Sequence, residues 1–451
     1  LRSPRLEGWM SLNTTAWPRL VKGLRRQFTG RETWALTDQA IVSATNFLTN
    51  VMLARFMGLR EFGVFALAWM AVLFVNSLQS ALIIAPMTSI GPKQEERDRP
   101  FYFGALVFQE LVLVTGCFVL VYSVLKVSGN FARFSEIRQL ALPLAIAAFA
   151  YQMQDFLRRY FFATSQSRRA LLDDVLSYFS QLPILLILHY SGALNSATAL
   201  WAMAGTSLLG LLPGLFWFER IEFNREWIGA ITVRHWRISR WLSASTLMQW
   251  TSSNLFVIAA PFYYGAAAAG VLRASQNLMG VTHVWFQGLE NVVPAETARR
   301  LRQGGTRQML AYTRSILIKW GGLTLLFAVA MAVAPGFWLR LMYGPGMVQY
   351  GYILQLYALL YLFIFVGGPM RAGLQALEFT VPVFWSYLAM TAFAVSFAVP
   401  MAKWLGLSGS LFGLIGSQIL FQGIVGAALL VKSRRVEQQL VLATHPGTAA
   451  E

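Results

Sequence analysis

Apolar residues run through this chain in blocks of about twenty, separated by short polar segments rich in arginine and lysine. A helix rising 1.5 Å per residue needs about 20 apolar residues to cross a bilayer, so each block is long enough for one crossing. The pattern predicts helices near 36–56, 64–86, 103–125, 139–162, 171–190, 197–217, 241–263, 271–293, 313–334, 351–371, 380–402 and 409–431. The longest loops predicted on one side are 126–138 and 335–350, and the longest on the other is 218–240. The expected fold is an all-α polytopic membrane protein with about twelve transmembrane helices.

Composition agrees with this pattern: 56% of residues are hydrophobic and 13% charged, against roughly 25% charged in a soluble domain. The net charge of +17 would suit a nucleic-acid binder, but the basic residues fall between apolar blocks, as they do in the cytoplasmic loops of membrane proteins. No nucleic-acid partner is therefore expected. With both termini placed in the cytoplasm, that side holds the basic residues of 1–34 and clusters such as Arg158, Arg159, Arg168 and Arg169, or Arg299, Arg300, Arg302 and Arg307. The outer side keeps only Arg55, Arg60, Lys126, Arg133, Arg138, Arg273, Arg340 and Lys403. Residues 1–34 lack the apolar stretch of a cleavable signal peptide, while Leu20, Val21, Leu24 and Phe28 opposite Lys22, Arg25 and Arg26 predict a helix lying on the membrane surface. Cys117 is the single cysteine, so no internal disulfide can form.

The loop 218–240 divides the chain into two sets of six spans, and an internal repeat supports that division. Asn46, Gly58, Gly63, Gln79 and Pro86 recur as Asn254, Gly265, Gly270, Gln287 and Pro294, and Arg158 as Arg371. Because six is even, both halves start on the same side, and a pseudo-two-fold axis along the membrane normal should relate them. The expected division is a basic interfacial segment at 1–35, six-helix bundles at 36–217 and 241–431, a cytoplasmic linker at 218–240 and a cytoplasmic tail at 432–451. Ile221, Trp227, Ile228 and Ile231 predict an interfacial helix in the linker.

Polar residues form stripes on four spans: Gln39, Ser43, Asn46 and Asn50; Asn76, Gln79 and Ser80; Ser245, Gln249 and Ser252; and His283, Gln287, Glu290 and Asn291. Singly, each could join helices by a hydrogen bond worth roughly 0.6–2 kcal/mol. Together, at repeat-related positions, they predict a central polar cavity. Ionisable residues in or beside the spans are Asp38, Arg55, Glu110, Asp155, Arg158, Arg159, Asp173, Asp174, Arg273, Glu290 and Lys319. Asp155 can pair one turn on with Arg158 or Arg159, and Asp173 and Asp174 read as helix-start acids. Arg55, Arg273, Glu290 and Lys319 have no such explanation and are the sharper functional candidates.

No Gly-x4-Gly-Lys-Ser/Thr loop is present, and the four histidines have no metal-ligand spacing. No catalytic residue, metal or cofactor is expected, and the short outer loops argue against an enzyme working on the outer face.

The stretch NFLTNVMLARFMGLREFG from Asn46, with Ala54, Arg55, Gly58, Phe62 and Gly63, resembles the opening helices of the polysaccharide and O-antigen flippases of the multidrug/oligosaccharidyl-lipid/polysaccharide exporter superfamily. LRLMYGPGMVQYGYILQLYAL from Leu339, and Gly406 and Gly409 before the last span, are also similar. The resemblance implies a V of two bundles that moves a polyprenyl-diphosphate-linked glycan across the inner membrane by alternating access for surface polysaccharide export. It further implies a polymerase and glycosyltransferases as partners. In that setting Arg55, Arg273 and Lys319 would meet the diphosphate, and Asn46, Asn50, Asn76, Gln79, Gln249, His283, Gln287 and Glu290 would meet sugar. Arg158 and Arg371 would capture the head group at the cytoplasmic face. Unlike multidrug exporters, the first half shows no obvious acidic cation site beyond Asp38 and Glu110. A cation-coupled small-molecule exporter of the same fold is the first alternative, and a membrane-embedded glycosyltransferase or polymerase the second.

Overall fold

The computed structural model describes residues 31–128 and 138–444. The surface helix expected around residues 20–28 lies outside them, as does most of the loop at 126–138. Among the described residues the secondary structure is helical, without strands. Helices α1 (31–57) and α2 (59–79) form one element broken at Gly58, and α2 continues through a π-helical turn, Ser80–Ile84, to Ala85–Ile90. Then come α3 (Arg99–Ser128) and α4 (Ala141–Ala163). Helix α5 starts as Ser167–Asp174, passes a second π turn, Val175–Phe179, and ends as Ser180–Tyr190. Helix α6 (Ser196–Gly210) completes the first half, started by an Asn195 cap that accepts from the backbone N–H of Ala197 and Thr198.

The second half opens with α7 (Arg225–Tyr264). Helix α8 begins as Ala266–Met279 and runs on to residue 303, where Gly304 and Gly305 separate it from α9 (306–333). After the short pieces Pro335–Tyr343 and Pro345–Tyr350 come α10 (Gly351–Ala376), α11 (381–405) and α12 (407–444), the last two parted at Gly406. Among the described residues eight stretches are long and apolar enough to cross a membrane, and three of these are bent pairs, Thr37–Lys93, Ala266–Val333 and Val381–Gln438. The remaining crossing is α7, whose apolar run is diluted by Ser243, Ser245, Gln249, Ser252, Ser253 and Asn254. Twelve helices in two six-helix bundles result.

Within the first bundle α4 is the most enclosed: 72% of its most apolar window is buried, against 6% for α3, which therefore faces lipid. Small residues explain this position, since Ala141, Ala145, Ala147, Ala148 and Ala150 let neighbours approach closely. The linker differs from expectation. It holds no separate interfacial helix; its second part is the start of α7, which runs unbroken into the membrane span. Ile231 is buried, and Ile221, Trp227 and Ile228 pack against the first bundle's second core cluster.

The repeat is visible in the backbone. Gly58 (φ 78°, ψ 167°) and Gly265 (φ 73°, ψ 175°) break α1–α2 and α7–α8 in the same conformation, one that L side chains rarely adopt. Five residues beyond each break, Gly63 and Gly270 face the opposite bundle. A Cβ on Gly63 would lie 1.8 Å from the Ala266 carbonyl oxygen, and one on Gly270 would lie 2.3 Å from that of Leu59. Leu59 and Ala266 are themselves repeat partners, so the contact is reciprocal, as expected of a two-fold axis. It closes the bundles together at the end away from the linker, here called the far end; the other is the linker end.

A carboxyl cluster and a central cavity

In the first bundle, buried polar residues join into one network. Arg158 of α4 pairs with Asp38 of α1 at 2.7 Å and with Asp174 of α5 at 2.6 Å, and lies 3.8 Å from Asp155. Arg159, half-exposed, lies 3.4 Å from Asp155. Gln154 donates to Asp173 (3.1 Å) and Asp174 (2.9 Å). Asn76 donates to Asp155 (3.2 Å), Gln152 (3.1 Å) and Gln79 (3.3 Å), and Gln79 donates to Glu110 (2.8 Å). Asp38, Glu110, Asp155, Asp173 and Asp174 are all buried, with only Arg158 buried beside them as a cation. One oxygen on each of Asp38, Glu110 and Asp173 has no hydrogen-bond partner.

Five buried carboxyls served by one buried guanidinium and the half-exposed Arg159 cannot all be ionised at acceptable cost, because each unpaired buried charge is unfavourable by several kcal/mol. Protons make up the difference. Both π turns start at this network, one directly after Gln79 and the other directly after Asp174. Such turns recur at functional sites because they re-aim the side chains beside them. The two acids that the sequence singled out in the first half, Asp38 and Glu110, both belong to this network, with Asp155, Asp173 and Asp174 beside them. Asp173 and Asp174 are not exposed helix-start acids; they close the first segment of α5 and point inward.

Between the bundles lies a cavity of about 280 Å³. Asn46 and Asn50 line it from α1, Trp69 from α2, Tyr151 from α4, Arg273, Gln276, Asn277 and His283 from α8 and the turn within it, and Tyr361 from α10. Arg273 donates to Gln276 (2.7 Å) and to Asn254 (3.1 Å), and no carboxylate among the described residues lies within ion-pair distance of it. A guanidinium held only by neutral amides keeps its charge available for an anionic group. The far end is closed by the glycine crossing, by Arg55 donating to the Leu341 carbonyl (3.0 Å), and by Asn277 donating to the Phe47 carbonyl (3.3 Å). Towards the linker end, Gln39 donates to Gln287 across the halves (3.2 Å).

The structure thus distributes the sequence candidates over several places. Asn46, Asn50, Arg273 and His283 line the cavity, while Asn76, Gln79 and Arg158 belong to the buried network. Arg158, expected to capture a head group, is buried and paired with Asp38 and Asp174. Arg55 lies at the far-end closure, and Lys319 and Gln249 are exposed on their helices, away from the cavity lining. Glu290 and Arg371 pair at 3.1 Å in a second cavity of about 380 Å³ between α8 and α10, where Arg371 also donates to the Tyr387 hydroxyl. The sequence reading missed Trp69, Tyr151, Gln276, Asn277 and Tyr361 in the central cavity, and Gln152 and Gln154 in the network, and it set Asp173 and Asp174 aside as helix-start acids. A signal was present for the network: five polar residues, Gln152, Gln154, Asp155, Arg158 and Arg159, crowd into eight positions of an otherwise apolar span.

No family model matches the sequence, and no curated protein matches it. Solved structures do. An inward-facing multidrug resistance MATE family transporter of the MOP superfamily superposes with a TM-score of 0.70 at 12% identity, covering 90% of this chain and 96% of that one. The chain has the fold of the MATE transporters. An outward-facing conformation of a MATE family transporter of the same superfamily gives 0.60 at 12% identity over 90% and 96% of the two chains. The eukaryotic MATE transporter AtDTX14 gives 0.61 at 16% identity over 90% and 98%.

Proposed function

We propose that this protein is a cation-coupled exporter of small organic molecules that works by alternating access between its two bundles. The observation that carries the reading is the buried network in which five carboxyls outnumber Arg158 and the half-exposed Arg159, so that protons held there offset the excess negative charge and can be taken up and released. A MATE fold supports it, since neighbours of that fold are described as multidrug resistance transporters in inward- and outward-facing forms. So does the cavity, whose volume of about 280 Å³ sits near the lower end of pockets that hold drug-sized ligands. The far end is the outer side, and both termini lie in the cytoplasm.

In proteoliposomes with an imposed proton or sodium gradient, gradient-driven export is expected from the wild type. In Glu110→Gln/Asp173→Asn, which removes two network carboxyls that do not pair with Arg158 and so orphans no buried charge, uptake driven by the gradient is expected to fall to background while ligand binding persists. Gradient-driven export by the double variant at the wild-type rate would remove coupling from this network.

Arg273 favours a second reading, the lipid-linked oligosaccharide flippase, because a cation free of carboxylates suits a diphosphate. Arg273→Gln separates the two. If the cargo is a diphosphate-linked glycan, surface polysaccharide is expected to fall at least about tenfold, the loss of one charge-assisted contact. If the cargo is a cationic drug, resistance is expected to hold and surface polysaccharide to stay normal.

A further inference from the structure

The first turns of α7 carry a surface that neither transport reading uses. Ile231, His235 and Ser239, spaced by four, are buried against the first bundle. They are held there by the Tyr102 hydroxyl, 3.3 Å from His235 Nε2, and by Ser239 donating to the Leu82 carbonyl (3.0 Å). Gln109 adds a hydrogen bond to Thr232 at 3.0 Å. The opposite face of the same turns is open to the surroundings and carries Arg234, Arg237 and Arg240, with Trp236 57% and Trp241 63% exposed. No aspartate or glutamate occurs from 227 to 289, and among the described residues none of the three arginines has an ion-pair partner. The Arg240 guanidinium lies 5.6 Å from the Trp241 ring centroid.

We infer that this face is a binding site for the phosphate headgroup of anionic phospholipid in the leaflet at the linker end. Two properties single out that partner. Three unpaired guanidiniums on one helix face offer the forked donors that suit a phosphodiester. Exposed indoles interleaved with them, on a helix about to enter the bilayer, belong at the depth where headgroups meet hydrocarbon. A water-soluble acidic protein would gain the charge contacts but would leave Trp236 and Trp241 against water. The position also gives the lipid a consequence. These turns are clamped to the first bundle, while the rest of α7 packs on α11 and α12 of the second, so a bound headgroup sits on the joint between the halves.

The test is retention of phosphatidylglycerol by the full-length protein in detergent, read by native mass spectrometry, with phosphatidylcholine as competitor. Wild type is expected to keep phosphatidylglycerol. Arg234→Gln/Arg237→Gln/Arg240→Gln is expected to bind it on the order of a hundredfold more weakly, since each basic residue near an anionic surface contributes severalfold. Arg299→Gln/Arg302→Gln/Arg307→Gln, which removes as much charge elsewhere, should bind like wild type, and Arg→Lys at 234, 237 and 240, which keeps the charge but loses the forked donors, should bind more weakly than wild type and more tightly than the first glutamine variant. Equal loss in both glutamine variants, or equal retention of phosphatidylcholine by wild type, overturns the site. No retention by wild type also rejects it and leaves the face to an acidic protein. Should the glutamine variant fail to fold, the lysine variant and the competition in wild type still decide.

Discussion

Gly63→Val is expected to give a protein that inserts and folds as two intact bundles but transports nothing. A Cβ at this position is fixed by the backbone, and 1.8 Å from the Ala266 carbonyl oxygen no side-chain rotation relieves it. Helices α2 and α8 must move apart, and the site lies on the reciprocal crossing that closes the far end. Overpacking of this kind costs about 1–3 kcal/mol and occasionally more, enough at the upper end to shift a two-state balance by about a hundredfold. The closed far end is thereby lost, and with it the alternation. Gly270→Val should behave alike, because it meets Leu59 across the same axis. Cysteines placed at Leu59 and Ala266, with Cys117 replaced, report the distance: spin labels there should be farther apart in either valine variant than in wild type. Gly116→Val in α3 is the control, since no atom stands within 4 Å of its Cβ. Transport by Gly63→Val at the wild-type rate, with the label distance unchanged, would remove this crossing from the transport cycle.

The same glycines illustrate what the sequence made legible. Apolar block length gave the helices, and the recurrence of Gly58, Gly63 and Pro86 gave the two-fold relation, because those features depend on spacing alone. Depth and facing were harder. Asp173 and Asp174 stand near the start of a span, where acids usually cap the helix, and nothing in the local sequence says that α1, α4 and α6 bury them. Arg55 and Lys319 lie in apolar runs, yet one ends at the far-end rim and the other on an exposed helix face, since hydropathy does not report which way a side chain points. Asn46, Asn50 and His283 reached the cavity because their stripes lie on α1 and α8, the helices on either side of the axis, and Arg273, singled out as an ionisable residue in a span, lies on α8 as well. The aromatic lining was missed because Trp69, Tyr151 and Tyr361 look like core residues in any apolar helix. Linker and span also merged where a boundary was drawn, since no helix-breaking residue separates the arginines of α7 from its polar stripe.

Arg158→Met is expected to be the most destabilising single substitution in the first bundle. Removing one partner of a buried ion pair costs about 3–5 kcal/mol, and here one guanidinium touches Asp38 and Asp174 and lies near Asp155. The methionine variant should therefore unfold at clearly lower denaturant concentration in mixed micelles. The loss alone would not distinguish a structural ion from a working one, but its rescue does. A neutral cluster of similar volume can be as stable as a charged one, so Arg158→Met combined with Asp38→Asn and Asp174→Asn should recover most of the lost stability. If the network serves only to hold α1, α4 and α5 together, the triple variant will transport as well as it folds. If the network exchanges the coupling cation, the triple variant will be stable and bind ligand while gradient-driven export stays at background. Recovery of stability without recovery of coupled export is the expected outcome, because the carboxyls that outnumber the arginine are the groups able to take up and release the cation.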